Sequence, residues 1–241
     1  MRVRALIFDV DGTLADTEEA HRQAFNSAFR HHGLAWRWSA AQYARLLAVT
    51  GGKERLRAHV DSLPLWPTER RLLAARIPEI HATKTSLYTQ AIRRGSVPLR
   101  PGIETLLDAA ARAGVRLAIA STTTRANIEA LLGPRLGAAS LGRFAVVAAG
   151  EDVERKKPAP DVYRRVLREL GLAAADCVAF EDSRPGLEAA KAAGLFTVVT
   201  PSPWTRGANF EGADWIVPSL ACCERPLEEI ERRFAVEEAW P

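Results

Sequence analysis

The sequence predicts an α/β fold: a Rossmann-like parallel sheet interrupted after its first strand by an inserted α-helical domain. Three observations carry this reading. Short apolar runs without helical period recur along the 241 residues. Ala- and Leu-rich helical patterns alternate with the later runs. The stretch from 17 to 95 holds helical patterns and no run of strand type. Strands alternating with single helices predict a parallel sheet covered on both faces.

The elements follow in order. Val3–Val10, centred on Ala5-Leu6-Ile7-Phe8, has the continuous apolar character of a fully buried strand. Similar runs lie at Arg116–Ala120, Ala145–Ala148, Cys177–Phe180, Thr197–Thr200 and Trp215–Val217. Among the helical patterns, Glu104–Arg112 stops at Gly114, Asp161–Leu170 before Gly171, and Pro185–Ala193 before Gly194. Glycine just past a helix supplies the left-handed residue that ends it. The insertion offers Ala20–Phe29, Ala40–Ala48, Lys53–Ser62 and Thr68–Ile92, the last expected to break near Pro78. Leu227–Glu237 predicts a final helix, and Pro98, Pro101 and Gly102 mark the return crossing. The expected division is an α/β core of residues 1–16 and 96–241 with a helical domain of residues 17–95.

Composition narrows the function classes. With 47% apolar and 26% charged residues, the chain has an ordinary globular balance. A net charge of +4 suits an anionic small substrate. Basic and aromatic residues do not interleave, so no nucleic-acid partner is expected. Three cysteines, Cys177, Cys222 and Cys223, lack zinc or disulfide spacing and read as reduced thiols. With no membrane span and no leader pattern at Met1, a cytoplasmic monomer with no membrane partner is expected.

Four clusters carry the chemistry, each at the carboxyl end of a predicted strand. In Asp9-Val10-Asp11-Gly12-Thr13, residues two apart share a side of the extended chain, so Asp9 and Asp11 face the same space. That is where open α/β sheets hold ligands. Ser121-Thr122-Thr123 precedes a helical pattern opened by Arg125 and Asn127; a hydroxyl beside helix-start N–H groups suits a phosphate oxygen, and equally a simple helix cap. Lys157-Pro158-Ala159-Pro160-Asp161 presents Lys157 from a stiff turn, with Lys156 as a competing candidate and Asp161 able to cap the next helix. Glu181-Asp182 offers two carboxylates to a hard cation, and magnesium takes one or two of these. Each cluster alone is also what a solvated turn looks like.

Together, in this order, the clusters resemble the haloacid-dehalogenase-like phosphatases over nearly the whole chain, and the helical insertion resembles their cap domain. Asp16-Thr17-Glu18, His21, Thr50-Gly51-Gly52-Lys53-Glu54-Arg55, Ile80-His81 with Lys84-Thr85, Leu99-Arg100-Pro101-Gly102-Ile103 and Glu181-Asp182-Ser183 are similar to the CbbY family, which converts xylulose 1,5-bisphosphate to xylulose 5-phosphate. Ser121 departs from the threonine expected there, but its hydroxyl has the same chemistry. The resemblance implies Asp9 as nucleophile, Asp11 as general acid and base, and Lys157 and Ser121 as further catalytic groups. It implies Mg2+ held by the carboxylates of Asp9 and Asp182, the Asp11 carbonyl, and Glu181 in or beside the shell. Ser121 and Thr122 would hold phosphoryl oxygens. Glu18, His21, Gly51, Gly52, Lys53, Arg55 and Lys84 would serve a small phosphorylated sugar. A free aspartic acid, with a pKa near 3.9, is a poor acid at neutral pH; neighbouring carboxylates and a dry, closed cap are expected to raise Asp11. The rival readings are a β-phosphoglucomutase, a phosphoglycolate phosphatase, and a non-catalytic phosphometabolite-binding protein.

Overall fold

The computed structural model describes residues 2–94, 97–136 and 140–237. Ala5–Phe8 forms β1, fully buried and shorter than the apolar run around it. Five helices follow before the chain returns: α1 (Glu18–His31), α2 (Ala40–Leu46), α3 (Gly52–Ser62), α4 (Pro67–Ala75) and α5 (Ile77–Arg94). Then come α6 (Ile103–Ala113), β2 (Arg116–Ala120), α7 (Arg125–Leu136), β3 (Val146–Ala148), α8 (Asp161–Leu170), β4 (Cys177–Glu181), α9 (Arg184–Ala192), β5 (Phe196–Val199), β6 (Trp215–Ile216) and α10 (Pro226–Glu237). The expected return boundary at residues 95 and 96 lies outside the described residues.

Several details differ from the sequence reading, and three have local reasons. Helix α1 begins at Glu18 rather than Ala20, because Glu18 and Glu19 suit the positive end of a helix. The break in the long pattern falls at Arg76, and Pro78 sits in the first turn of α5, where a missing N–H costs no helical bond. Asp161 opens α8 without capping it; the cap position is Pro160, and the Asp161 carboxylate pairs with Arg155.

The sheet is all parallel in the order β3-β2-β1-β4-β5-β6. Alternation along β1 divides the core: Leu6 and Phe8 join the layer that contains Leu106 and Leu107 of α6, while Ala5 and Ile7 join Val162, Tyr163 and Val166 of α8. Strand order reverses between β1 and β4, which opens a crevice beyond their carboxyl ends. Phe8 and Phe180 stack at 4.6 Å beneath it.

Helices α1–α5 build their own aromatic core from Phe25, Phe29, Trp38, Tyr43, Leu56 and Ile80. Asn26 pins the following loop by exchanging hydrogen bonds with the backbone of Trp38, at 2.9 and 2.7 Å. The outgoing and returning crossings pair through a bridge between Ala15 and Leu99. Arg100 ties that junction to the sheet: its guanidinium donates to the carbonyls of Gly12, Thr200 and Pro201. No helix among the described residues is long and apolar enough to cross a membrane.

Candidate active site

The four sequence clusters meet at the crevice. Asp9 continues the ladder past β1, its N–H bonded to the Phe180 carbonyl at 3.0 Å. Gly12 then turns the chain with φ of 84°, and a side chain there would come within 2.2 Å of Asp182 Oδ2. Glycine is required twice over, for the conformation and for the close approach.

Both adjacent lysines line the crevice, and Lys157 is the one that reaches the carboxylates. Its ammonium donates to Asp9 Oδ1 at 2.7 Å, Glu181 Oε1 at 2.6 Å and the Ala120 carbonyl at 2.8 Å, which uses all three of its hydrogens. Lys156 turns back onto its own loop, toward the Gly150 and Val153 carbonyls. Tyr163, which the sequence reading did not single out, donates its hydroxyl to Glu181 Oε1 at 2.5 Å, and its ring lies 5.1 Å from the Lys157 nitrogen. Both donors converge on Oε1. Glu181 Oε2 is left buried without a partner, against Gly186, where a Cβ would sit only 1.9 Å away.

Ligand atoms of Asp9, Glu181 and Asp182 lie within 4.8 Å of one another, all buried. Three carboxylates face one ammonium, with an unsatisfied oxygen among them. This donor set is all hard oxygen and carries excess negative charge, which fits a small divalent cation.

The electrostatics follow from burial. Burial pushes Asp9 up to about 7; Lys157 opposes this and Glu181 reinforces it. Asp182 is held well above the carboxylate range by burial and by Asp9. Lys157 rises above an ordinary lysine, because Asp9 and Glu181 outweigh its desolvation. Asp11 behaves oppositely to expectation. Burial pulls it upward, but His21, the Thr17 hydroxyl and Lys84 overcome this and hold it below the usual carboxylate range. The reason is orientation: its Oδ1 accepts from Thr17 Oγ1 at 2.5 Å and meets His21 Nε2 at 3.0 Å, both on the helical side.

His21 continues this chain. Its Nδ1 is 2.6 Å from Lys84 Nζ, so the network assigns a proton to Nε2 and makes Nδ1 the acceptor. Tyr88 stacks on the imidazole at 3.9 Å. Lys84 is lowered to about 8 by burial, with Asp11 opposing.

Around the cavity mouth, Gly51 turns the chain with φ of 89° into α3. A side chain at Gly52 would come within 2.4 Å of His81. Arg55 is buried and donates from Nη1 to the Tyr43 hydroxyl at 2.8 Å and from Nε to the Leu46 and Val49 carbonyls. Tyr43 donates in turn to Glu18 at 2.7 Å. Lys53 is exposed at the rim. Ser121 is buried, its Oγ accepting from the Thr123 N–H at 3.2 Å.

One cavity of about 490 Å³ gathers Asp9, Asp11, Glu18, His21, Gly51, Gly52, Lys53, Arg55, Lys84, Ser121, Thr122, Lys157 and Asp182. Glu181 alone of the expected residues does not line it and stands behind, fully buried. Tyr43, Tyr88 and Tyr163 support the site without having been foreseen, and Thr17, named only within the Asp16-Thr17-Glu18 motif, does so through its hydroxyl on Asp11. The signal for Tyr43 and Tyr163 was a polar tip on the buried face of a helix, a pattern that usually ends on a buried hydrogen-bond partner.

A parallel sheet with a carboxylate pair, a hydroxyl turn, a buried lysine and a second acidic pair at one crevice defines a phosphatase among the hydrolases. Residues 3–194 match the family model for haloacid dehalogenase-like hydrolase. Protein CbbY of Rhodobacter capsulatus is 52% identical over 92% of this chain and 95% of its own. Protein CbbY of Cupriavidus necator is 51% identical over 94% of this chain and 89% of its own. CbbY from Rhodobacter sphaeroides, solved with phosphate, superposes with a TM-score of 0.84 at 45% identity, covering 91% of this chain and 95% of that one. An Asp-to-Asn variant of that protein, solved with xylulose-(1,5)bisphosphate, also gives a TM-score of 0.84, at 44% identity over the same shares. The chain therefore belongs to the CbbY family of haloacid dehalogenase-like hydrolases. A β-phosphoglucomutase from Clostridium difficile, at 21% identity and a TM-score of 0.74 over 98% of this chain and 99% of that one, shares the fold alone.

Proposed function

We propose that this phosphatase hydrolyses xylulose 1,5-bisphosphate to xylulose 5-phosphate with Mg2+ as cofactor, through an aspartyl phosphate on Asp9. The observation that carries the substrate reading is one cavity lined by cationic groups from both the sheet side and the helical side. Lys157 lies beside Asp9 on the sheet side, while Lys53 and Arg55 come from the helical side, as does Lys84, which stands behind His21 and Asp11. One phosphate needs only the first set; a bisphosphate uses both. The relative solved with xylulose 1,5-bisphosphate supports the same substrate. We take residues 17–95 as a cap over a core of 1–16 and 96–241. The cytoplasm is the proposed location, since Cys177, Cys222 and Cys223 are free thiols.

The residues then divide the work. Asp9 attacks phosphorus, and Lys157 offsets the repulsion between that carboxylate and an anionic phosphoryl group. Asp9, Asp182 and the Asp11 carbonyl would hold Mg2+, with Glu181 adjoining; bound there, the ion would supply positive charge against the phosphoryl oxygens. Ser121 and Thr122 orient those oxygens. Asp11, ionised in the resting geometry, must first take a proton to serve as the acid for the leaving oxygen. As a carboxylate it is ready to take the proton of the water that hydrolyses the intermediate. His21, in contact with Asp11, and Lys84, behind His21, bear on that balance from the cap side.

Two expectations follow. Phosphate release should stop on removal of divalent cations with EDTA and return with Mg2+, while Ca2+ restores it poorly because it prefers more ligands and looser geometry. Mg2+ affinity, measured by titration calorimetry, should be at least about fivefold weaker at pH 6 than at pH 8, since the ion must displace protons from Asp9 and Asp182, whose metal-free carboxyls are both raised. A pH-independent affinity would contradict that assignment.

A third expectation concerns the distal phosphate. Arg55→Ala or Lys53→Ala should weaken kcat/KM for the bisphosphate by roughly 1.5–3 kcal/mol, the worth of a charge-assisted hydrogen bond. Hydrolysis of an aryl phosphate, which has no second phosphate, should change little. Because Arg55 also packs on Tyr43, equal losses on both substrates would mark a structural role and remove the distal-phosphate reading.

A further inference from the structure

The loop after β5 is fixed to the core at three points. Thr200 N–H donates to the Glu181 carbonyl at 2.8 Å, the Pro201 carbonyl accepts from Arg100 at 2.9 Å, and Thr205 Oγ1 donates to Asp182 Oδ2 at 3.3 Å. Ser202 and Thr205 close a short turn: the Ser202 N–H donates to Thr205 Oγ1 at 2.9 Å, and the two hydroxyls are 3.0 Å apart. The residue this turn carries outward is Trp204. Its indole packs on the aromatic core of α1–α5, not on the sheet that anchors its loop. It meets Tyr43 edge-on, with ring centroids 5.6 Å apart and planes at 86°, and it lines the catalytic cavity. Tyr43 is the residue whose hydroxyl joins Glu18 to Arg55. A second contact across the cavity runs from the Thr50 hydroxyl to the Lys157 carbonyl.

We infer that Trp204 is the core-side latch of cap closure, and that Thr205 links this latch to the Asp182 carboxylate. An edge-on aromatic contact has a narrow geometry, so the indole seats against Tyr43 only when cap and core are correctly apposed. With the cap open, that indole face returns to water, a cost that favours the closed state. The loop that aims it rests on Asp182, so a cation or substrate that orders Asp182 also orders the latch. Closure of this kind expels water and completes a site. Trp204 is thus a positioning residue for the phosphatase reading given above. When it is lost, the closed population falls and apparent substrate affinity falls with it.

The test is hydrogen exchange read by mass spectrometry, with magnesium and beryllium fluoride as a mimic of phosphorylated Asp9. In the unaltered protein this addition should raise protection of residues 47–56, which touch the core through Thr50, at least tenfold. In Trp204→Ala the gain should shrink at least fivefold, and in Trp204→Phe, which keeps an aromatic edge, most of it should remain. Thr205→Val, with its hydroxyl removed and its volume kept, should fall between. For the bisphosphate, Trp204→Ala should raise KM at least tenfold and lower saturated kcat less than threefold. An unchanged gain in protection at 47–56 in Trp204→Ala would overturn the latch. If that variant does not fold, an unchanged gain in Thr205→Val would overturn the link to Asp182 and the latch with it. The exchange readout involves no sugar, so failure of the unaltered enzyme to use the bisphosphate would strike the substrate reading and leave the latch standing.

Discussion

Replacing Asp9 with asparagine should lower turnover by about 10⁴-fold or more while the protein stays folded, because the amide matches the carboxylate in shape but is a very poor nucleophile. The fold should survive for reasons visible in the site. Asp9 is buried and already pushed up to about 7, so an uncharged group relieves a desolvation cost. The amide oxygen can still accept from Lys157, now 2.7 Å from Asp9 Oδ1. Phosphate release measured beside thermal unfolding separates the two effects. Retention of more than a trace of activity by the folded variant would exclude a covalent intermediate on this residue.

Replacing Lys157 with methionine should be nearly as damaging to turnover, by about 10³-fold or more, and should also cost stability. The side chain keeps its length but loses the charge that lies between Asp9 and Glu181. Removing one partner of a buried ion pair typically costs about 3–5 kcal/mol, because the other is left uncompensated. The pH dependence has a definite sign. Without the lysine, the Asp9 carboxyl, already raised by burial, rises further above its unfolded value. The variant should therefore come closest to the unaltered protein near pH 5, where Asp9 can hold a proton, and fall furthest below it near pH 8. Denaturant unfolding at the two pH values, without divalent cations, checks this. A deficit larger at pH 5 would mean that Lys157 does not act through those carboxylates.

The parts of the site legible in the sequence are those set by the strands. Asp9, Asp11, Ser121 and Glu181-Asp182 fall at or just past strand ends, and a parallel sheet gathers such ends at one edge. Lys157 could not be told from Lys156 by spacing, since a one-residue difference in a turn decides which side chain faces Ala120 and which faces Gly150. The ionisation of Asp11 was not legible at all. It depends on His21 and on Lys84, 63 residues further along the chain, and composition does not show which way a carboxyl turns. Tyr163 and Trp204 were hidden for the same reason. Each looks like an ordinary apolar residue until tertiary packing brings its ring against a charged or aromatic partner. The break falls near Pro78 as expected, but at Arg76, because proline forbids a helix interior and not its first turn.

The most direct test of the account is the initial rate of phosphate release, with Mg2+, on a panel of xylulose 1,5-bisphosphate, ribulose 1,5-bisphosphate, phosphoglycolate and β-glucose 1-phosphate. The proposed substrate predicts the highest kcat/KM for xylulose 1,5-bisphosphate, with one phosphate released per molecule and xylulose 5-phosphate left intact. A preference for either monophosphate, or release of both phosphates at similar rates, would contradict it.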